Sequence, residues 1–177
     1  MNTIDHYLNQ LKEAKQKHYR YRISKLDATQ LEQLENLVIR MAKAGAKHPL
    51  SWAWSEFSED IPQWGRFMIL KELYTSAHNI NGNLDSACDF DPNIHTIYQE
   101  LAGTLGDAKL QQFLKHYSQG LLYSMIGIFD EGNPDYEDKN SWVLITQDRE
   151  NDRIGKPISG LHEDFMEFHQ ELNDDIL

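Results

Sequence analysis

Residues 107–129, DAKLQQFLKHYSQGLLYSMIGIF, decide the fold class. Leu110, Phe113, Leu114, Tyr117, Leu121 and Met125 recur at helical spacing, which predicts one long helix, largely buried. Gly120 and Gly127 lie inside it; each costs a helix about 1 kcal/mol relative to Ala and allows close packing.

Upstream, the same period returns in shorter runs. Ile4, Tyr7, Leu8 and Leu11 open a first helix that ends softly in KQKHYRYR, whose cationic stems can lie over apolar surface while their heads stay wet. Asp27 with Gln30 makes a capping-box start, and Leu31, Leu34, Val38 and Met41 form a stripe that stops at Gly45. Trp52, Trp54 and Phe57 precede Ile61-Pro62, from which Trp64, Phe67, Met68, Leu70 and Tyr74 carry a third helix toward Asn81-Gly82. Asp91-Pro92 starts a short helix through Ile94, Ile97, Tyr98 and Leu101 to Gly103.

Downstream the texture changes. Residues 131–138 are turn-forming and acidic and predict an exposed loop. SWVLIT (Ser141 to Thr146) and Ile154 to Ile158 are short apolar runs separated by polar residues, which predicts an antiparallel hairpin. Leu161, Phe165, Phe168 and Leu172 then recur at i, i+4, i+7 and i+11 as a terminal helix. The expectation is an α+β, predominantly helical fold: five or six helices, with one C-terminal hairpin packed on the bundle because two strands alone are marginal. No repeat or Pro-rich linker divides residues 1–177, so they read as a single domain, helical over about 1–130, with acidic loop, hairpin and final helix over 131–177.

Composition narrows the function classes. Lys and Arg number 17 against 28 Asp and Glu, a formal charge of -11, which disfavours direct contact with a phosphate backbone. Residues 1–50 carry +4, residues 51–129 carry -5 and residues 130–177 carry -10. One cysteine, Cys88, supports neither an internal disulfide nor a cysteine zinc site. The opening residues lack a signal-peptide core, and the longest mainly apolar run, Leu121 to Phe129, is too short for a bilayer. Membrane association is therefore not expected, and a cytoplasmic location is.

Chemistry-bearing patterns are weak. His162, Glu163, Glu167 and His169 suggest a metal site, but the histidines stand at i and i+7 with Met166 where a zincin needs its second His, so a solvated acidic face is the better reading. Asp89, Asp91, Asn93 and Glu100 match calcium-loop positions 1, 3, 5 and 12, yet Ile94 occupies the position that needs Gly, and helix capping explains Asp91. Cys88 reads as a small apolar residue rather than a nucleophile. Glu56, Glu59 and Asp60 near Trp52, Trp54, Phe57 and Trp64 could line a two-carboxylate cleft, though aromatics at helical spacing are more often core. Walker A, GxSxG and GxGxxG motifs do not occur. No catalytic, cofactor-binding or metal-binding residue is assigned.

One segment reads as a recognition surface. Asp130, Glu131, Asp135, Glu137 and Asp138 supply long-range attraction toward a cationic partner, while Tyr136 and Trp142 supply aromatic contact area. In size, acidity and lack of any active-site motif over its whole length, the chain resembles the bacterial immunity proteins that neutralise secreted or contact-delivered toxins, including those of contact-dependent inhibition systems. The resemblance implies tight binding of a basic cognate toxin of nuclease type in the cytoplasm, with its active site or substrate groove covered. Two alternatives stand beside it: an enzyme with a His/carboxylate cleft, and a helical regulatory or scaffolding module, marked by a large apolar patch and self-association.

Overall fold

The computed structural model describes residues 3–132, 141–148, 150 and 152–172. The chain divides into two compact units, one of Met1–Met68, Leu144–Ile158 and His169–Leu177, the other of Ile69–Val143 and Ser159–Phe168. The units cut across the 130/131 boundary that charge and texture suggest.

The first unit begins with α1 (Thr3–Leu8) and α2 (Glu13–Ile23), where the sequence predicts one soft-ended helix. Only α1 sends side chains into the core, Ile4 and Leu8; α2 has no buried residue. Instead the Arg22 guanidinium of α2 lies 4.6 Å above the Trp54 ring and Tyr19 meets the same indole edge-on, so cationic stems and an aromatic shield the core. The capping box forms as read: the Asp27 side chain accepts the Gln30 N–H at 2.8 Å and the Gln30 side chain accepts the Asp27 N–H at 3.0 Å, starting α3 (Ala28–Lys43) with Leu34, Val38 and Met41 buried. Gly45 ends it at φ +91°, a conformation only Gly adopts cheaply.

α4 (Pro49–Glu59) is a helix the sequence reading leaves unassigned. Its signal is Pro49 at the first helical position, and its buried residues Leu50, Trp52, Ala53 and Trp54 pack it along α3. The N-terminal part of α5 (Gln63–His78) completes this unit's helices. The hairpin is antiparallel, β1 (Leu144–Asp148) with β2 (Arg153–Ile158), Leu144 opposite Ile158 and Asp148 opposite Arg153, with a bulge between Ile145 and Gln147. It packs on the start of α5: a β-carbon at Gly65 would stand 2.8 Å from Thr146 Cγ2 and 3.0 Å from Ile158 Cδ1. A bare backbone is what lets helix and sheet come so close.

In the second unit α5 gives way to α6 (Ile80–Ala87), capped by Asn79, whose side chain accepts the Gly82 N–H at 3.1 Å. Asn81-Gly82 is thus the start of a helix rather than the end of one. α7 (Ile94–Leu105) passes Gly103 and ends at Gly106, and α8 (Asp107–Glu131) follows directly. Tyr98 ties the two together, donating to Asp107 Oδ1 at 2.6 Å. The terminal helix is short, α9 (Leu161–Phe165), followed by a 3₁₀ turn over Phe168–Gln170. All four periodic residues, Leu161, Phe165, Phe168 and Leu172, are buried as their spacing predicts. The fold is predominantly helical with, among the described residues, one hairpin, in agreement with the sequence reading.

One expectation about α8 reverses. Phe113, Tyr117, Leu121 and Met125 are exposed, while Leu110 and Ile126 are buried and Leu114, Leu122 and Phe129 half-buried. The residues of the predicted stripe thus divide between a covered face, which holds Leu110 and Leu114, and an outward one, and α7 and α9 pack on α8.

Candidate functional site

The acidic stretch leaves α8 at its C-terminal end. Gly132 closes the helix at φ +70°, and a β-carbon there would lie 2.5 Å from Ser141 Oγ and 3.4 Å from the Trp142 carbonyl oxygen. Gly132 and Ser141 therefore stand side by side, which only a glycine allows. Asp135, Tyr136, Glu137 and Asp138 lie outside the described residues.

Trp142 precedes the hairpin instead of starting it: β1 begins at Leu144, three residues later than the β-rich run SWVLIT predicts, and extends through Asp148. The cause is a competing bond, the Trp142 indole N–H donating to the Ile128 carbonyl at 2.9 Å. That carbonyl is one of the last four of α8, which lack a helical partner, so the indole caps the helix end. The ring is 46% exposed, with Ile128 56% and Val143 59% exposed. A half-exposed tryptophan held by its indole N–H, hydrogen-bonded to one exposed aliphatic residue and followed by another in the chain, suits a binding anchor, since little side-chain entropy remains to be lost on contact.

Asp130 and Glu131 separate. Glu131 is exposed, the last residue of α8. The Asp130 side chain is only 3% exposed, and its Oδ2 accepts the His162 backbone N–H at 2.9 Å and sits 2.8 Å from His162 Nδ1. Asp130 is accordingly no rim charge; it holds the first turn of α9 against the end of α8. Among the described residues its Oδ1 has no hydrogen-bond partner.

The other sequence candidates disperse. His162 is engaged by Asp130 in the second unit, whereas His169 falls in the first. Among the described residues no group of three or more His, Cys, Asp or Glu could hold a metal ion. Asp91 stabilises the turn ahead of α7, its Oδ1 accepting the Asn93 N–H at 2.9 Å, whereas the N-cap position falls to Asn93, with no side-chain cap bond, and not to Asp91 as the sequence reading expects. Cys88 is half-buried at the end of α6. Glu56 accepts the Trp64 N–H at 2.6 Å and so caps α5, and Asp60 pairs with Lys156 of the hairpin. These two carboxylates and Trp64, under the Arg40 guanidinium at 4.4 Å, do line one open groove of about 720 Å³. Trp52 and Trp54, by contrast, go into the core.

Two tyrosine hydroxyls titrate above their ordinary value. The bond to Asp107 is the main cause for Tyr98, and burial is the cause for Tyr74.

Compared with known proteins, the chain matches no family model, no curated protein and no solved structure. The site thus rests on its own geometry. Ile128 and Val143 are the residues that sequence reasoning missed, Ile128 because it lies in a helix read as buried and Val143 because it lies in a run read as strand. Among the described residues no helix is long and apolar enough to cross a membrane.

Proposed function

We propose that the chain acts by binding a basic protein, docking it on the corner of Ile128, Trp142 and Val143, with the acidic residues 131–138 that precede Trp142 in the sequence supplying attraction. The observation that carries this reading is Trp142, 46% exposed and tied by its indole N–H to the Ile128 carbonyl. Tryptophan dominates interface energetics when its ring is desolvated in a pocket of the partner. The charge of -10 over residues 130–177 complements it by steering a cationic partner at long range. A toxin nuclease domain has that character, and an immunity protein acting in the cytoplasm is the functional class this reading favours. The test is co-purification with the product of the adjacent gene, followed by association rates at two salt concentrations. Recovery of no partner, or of one whose association ignores salt, overturns it.

A second reading has one observation in its favour. A carboxylate oxygen at 2.8 Å from His162 Nδ1 leaves Nε2 on an exposed ring, the orientation that a general base requires. The same oxygen also holds the His162 backbone N–H, and this capping role accounts for the contact without catalysis. Replacing His162 by Gln separates the two readings, since partner binding survives it and proton-transfer chemistry does not.

A further inference from the structure

The outward stripe of α8 has features that the folded chain does not use. Phe113 and Tyr117 are each 63% exposed and stacked on one another, 6.1 Å between centroids and 22° between planes. Gly120 and Gly127 sit within the same helix, and a β-carbon at either would meet nothing within 4 Å. Such glycines cost helix stability, about 1 kcal/mol each against Ala, and among the described residues no close approach requires them. Phe113, Tyr117, Gly120, Ser124, Gly127 and Glu131 follow one another at spacings of four, three, four, three and four, the repeat of a coiled-coil seam.

We propose that this seam pairs with the same seam of a second copy of the chain, the two α8 helices running antiparallel and crossing at Gly120. Charge sets the direction. In an antiparallel pair centred on Gly120, Lys109 of one copy faces Glu131 of the other, twice over by symmetry, whereas a parallel pair would place like charges together at both ends. The helix dipoles also oppose favourably. Shape agrees with charge at both ends of the crossing, because the same register sets Phe113 over Gly127, a bulky residue against a bare backbone, while Tyr117 faces Tyr123. Gly120 meets its own symmetry mate, where two bare backbones come closest. Each copy offers the same self-complementary patch, as a closed two-fold interface demands. The proposal stands apart from the partner-binding corner: Glu131, grouped by sequence with the acidic segment, belongs here to the seam, while Trp142 does not take part.

The mass of the full chain in solution, by light scattering or sedimentation, is the test. At about 100 μM, where a micromolar Kd leaves the dimer dominant, the parent should have the mass of two chains. Gly120→Gln should be monomeric at that concentration with undiminished helicity, because its side chain enters open space in one copy and blocks the crossing in two. Phe113→Glu should do the same. Lys109→Glu and Glu131→Lys should each weaken association several-fold, and the double exchange should restore it. A monomeric parent overturns the proposal, as does a dimer indifferent to both Gly120→Gln and Phe113→Glu. Failure of the double exchange to restore association overturns the antiparallel register. None of these readouts depends on the toxin partner, so the two hypotheses fail separately.

Discussion

The Trp52 indole N–H donates to Glu171 Oε2 at 2.9 Å, joining residues 119 positions apart. The Glu171 backbone carbonyl accepts the Lys47 N–H at 2.7 Å, and Ala46 bridges Leu172 alongside. One residue thus ties the segment after the 3₁₀ turn to the start of α4 by side chain and backbone together.

Glu171→Ala should lower stability by about 1–3 kcal/mol, the cost of leaving a largely buried indole N–H without its acceptor. Glu171→Gln retains an acceptor oxygen and should fall between the two. Urea unfolding of the three proteins checks the order; an Ala variant as stable as the parent contradicts it.

Asp130→Ala should destabilise more than His162→Ala. Loss of the carboxylate removes the acceptor for both the backbone N–H and the ring of His162, whereas loss of the ring leaves the backbone bond in place. The first should cost about 1–3 kcal/mol, read as a fall in thermal midpoint. Equal effects would show that the ring contact carries the whole interaction.

Tyr74 makes stability depend on alkaline pH. Burial raises its folded pKa above the ordinary value of 10.0, so the unfolded chain loses the proton first. Its contribution is complete below that value and is lost as pH rises through the folded pKa. Tyr74→Phe should show a shallower loss of stability than the parent between about pH 9.5 and pH 11. Parallel slopes for the two proteins would remove Tyr74 as the cause.

Trp142→Ala should speed dissociation of the basic partner, with a cost of about 2 kcal/mol or more if the ring is a desolvated anchor. The fold should persist, since the ring is half exposed and outside the strand. Neutralising Asp135, Glu137 and Asp138 together should instead slow association and flatten its salt dependence, leaving dissociation less changed. Stopped-flow association and dissociation rates separate the two effects; a triple variant that alters only dissociation would contradict electrostatic steering.

Signals confined to a few neighbouring residues are the ones that could be read correctly before folding. The Asp27/Gln30 box spans four residues, and the α3 stripe and the burial of Leu161, Phe165, Phe168 and Leu172 follow from spacing along the chain. The helical class with one hairpin follows in the same way. Where two local readings were equally good, the choice was made elsewhere in the molecule. The predicted stripe of α8 divides between a covered face and an outward one, and α7 and α9 pack on α8. The run SWVLIT has strand propensity throughout, yet the Ile128 carbonyl, needing a donor at a helix end, took Trp142 out of the strand. Asp130 looks like its acidic neighbours in sequence, and only a backbone N–H thirty-two residues away turned it from a surface charge into a buried cap. Local periodicity specifies elements because helix and strand geometry repeat within a few residues. Which face is covered, and which polar group is satisfied, depends on partners that the chain brings together only when it folds.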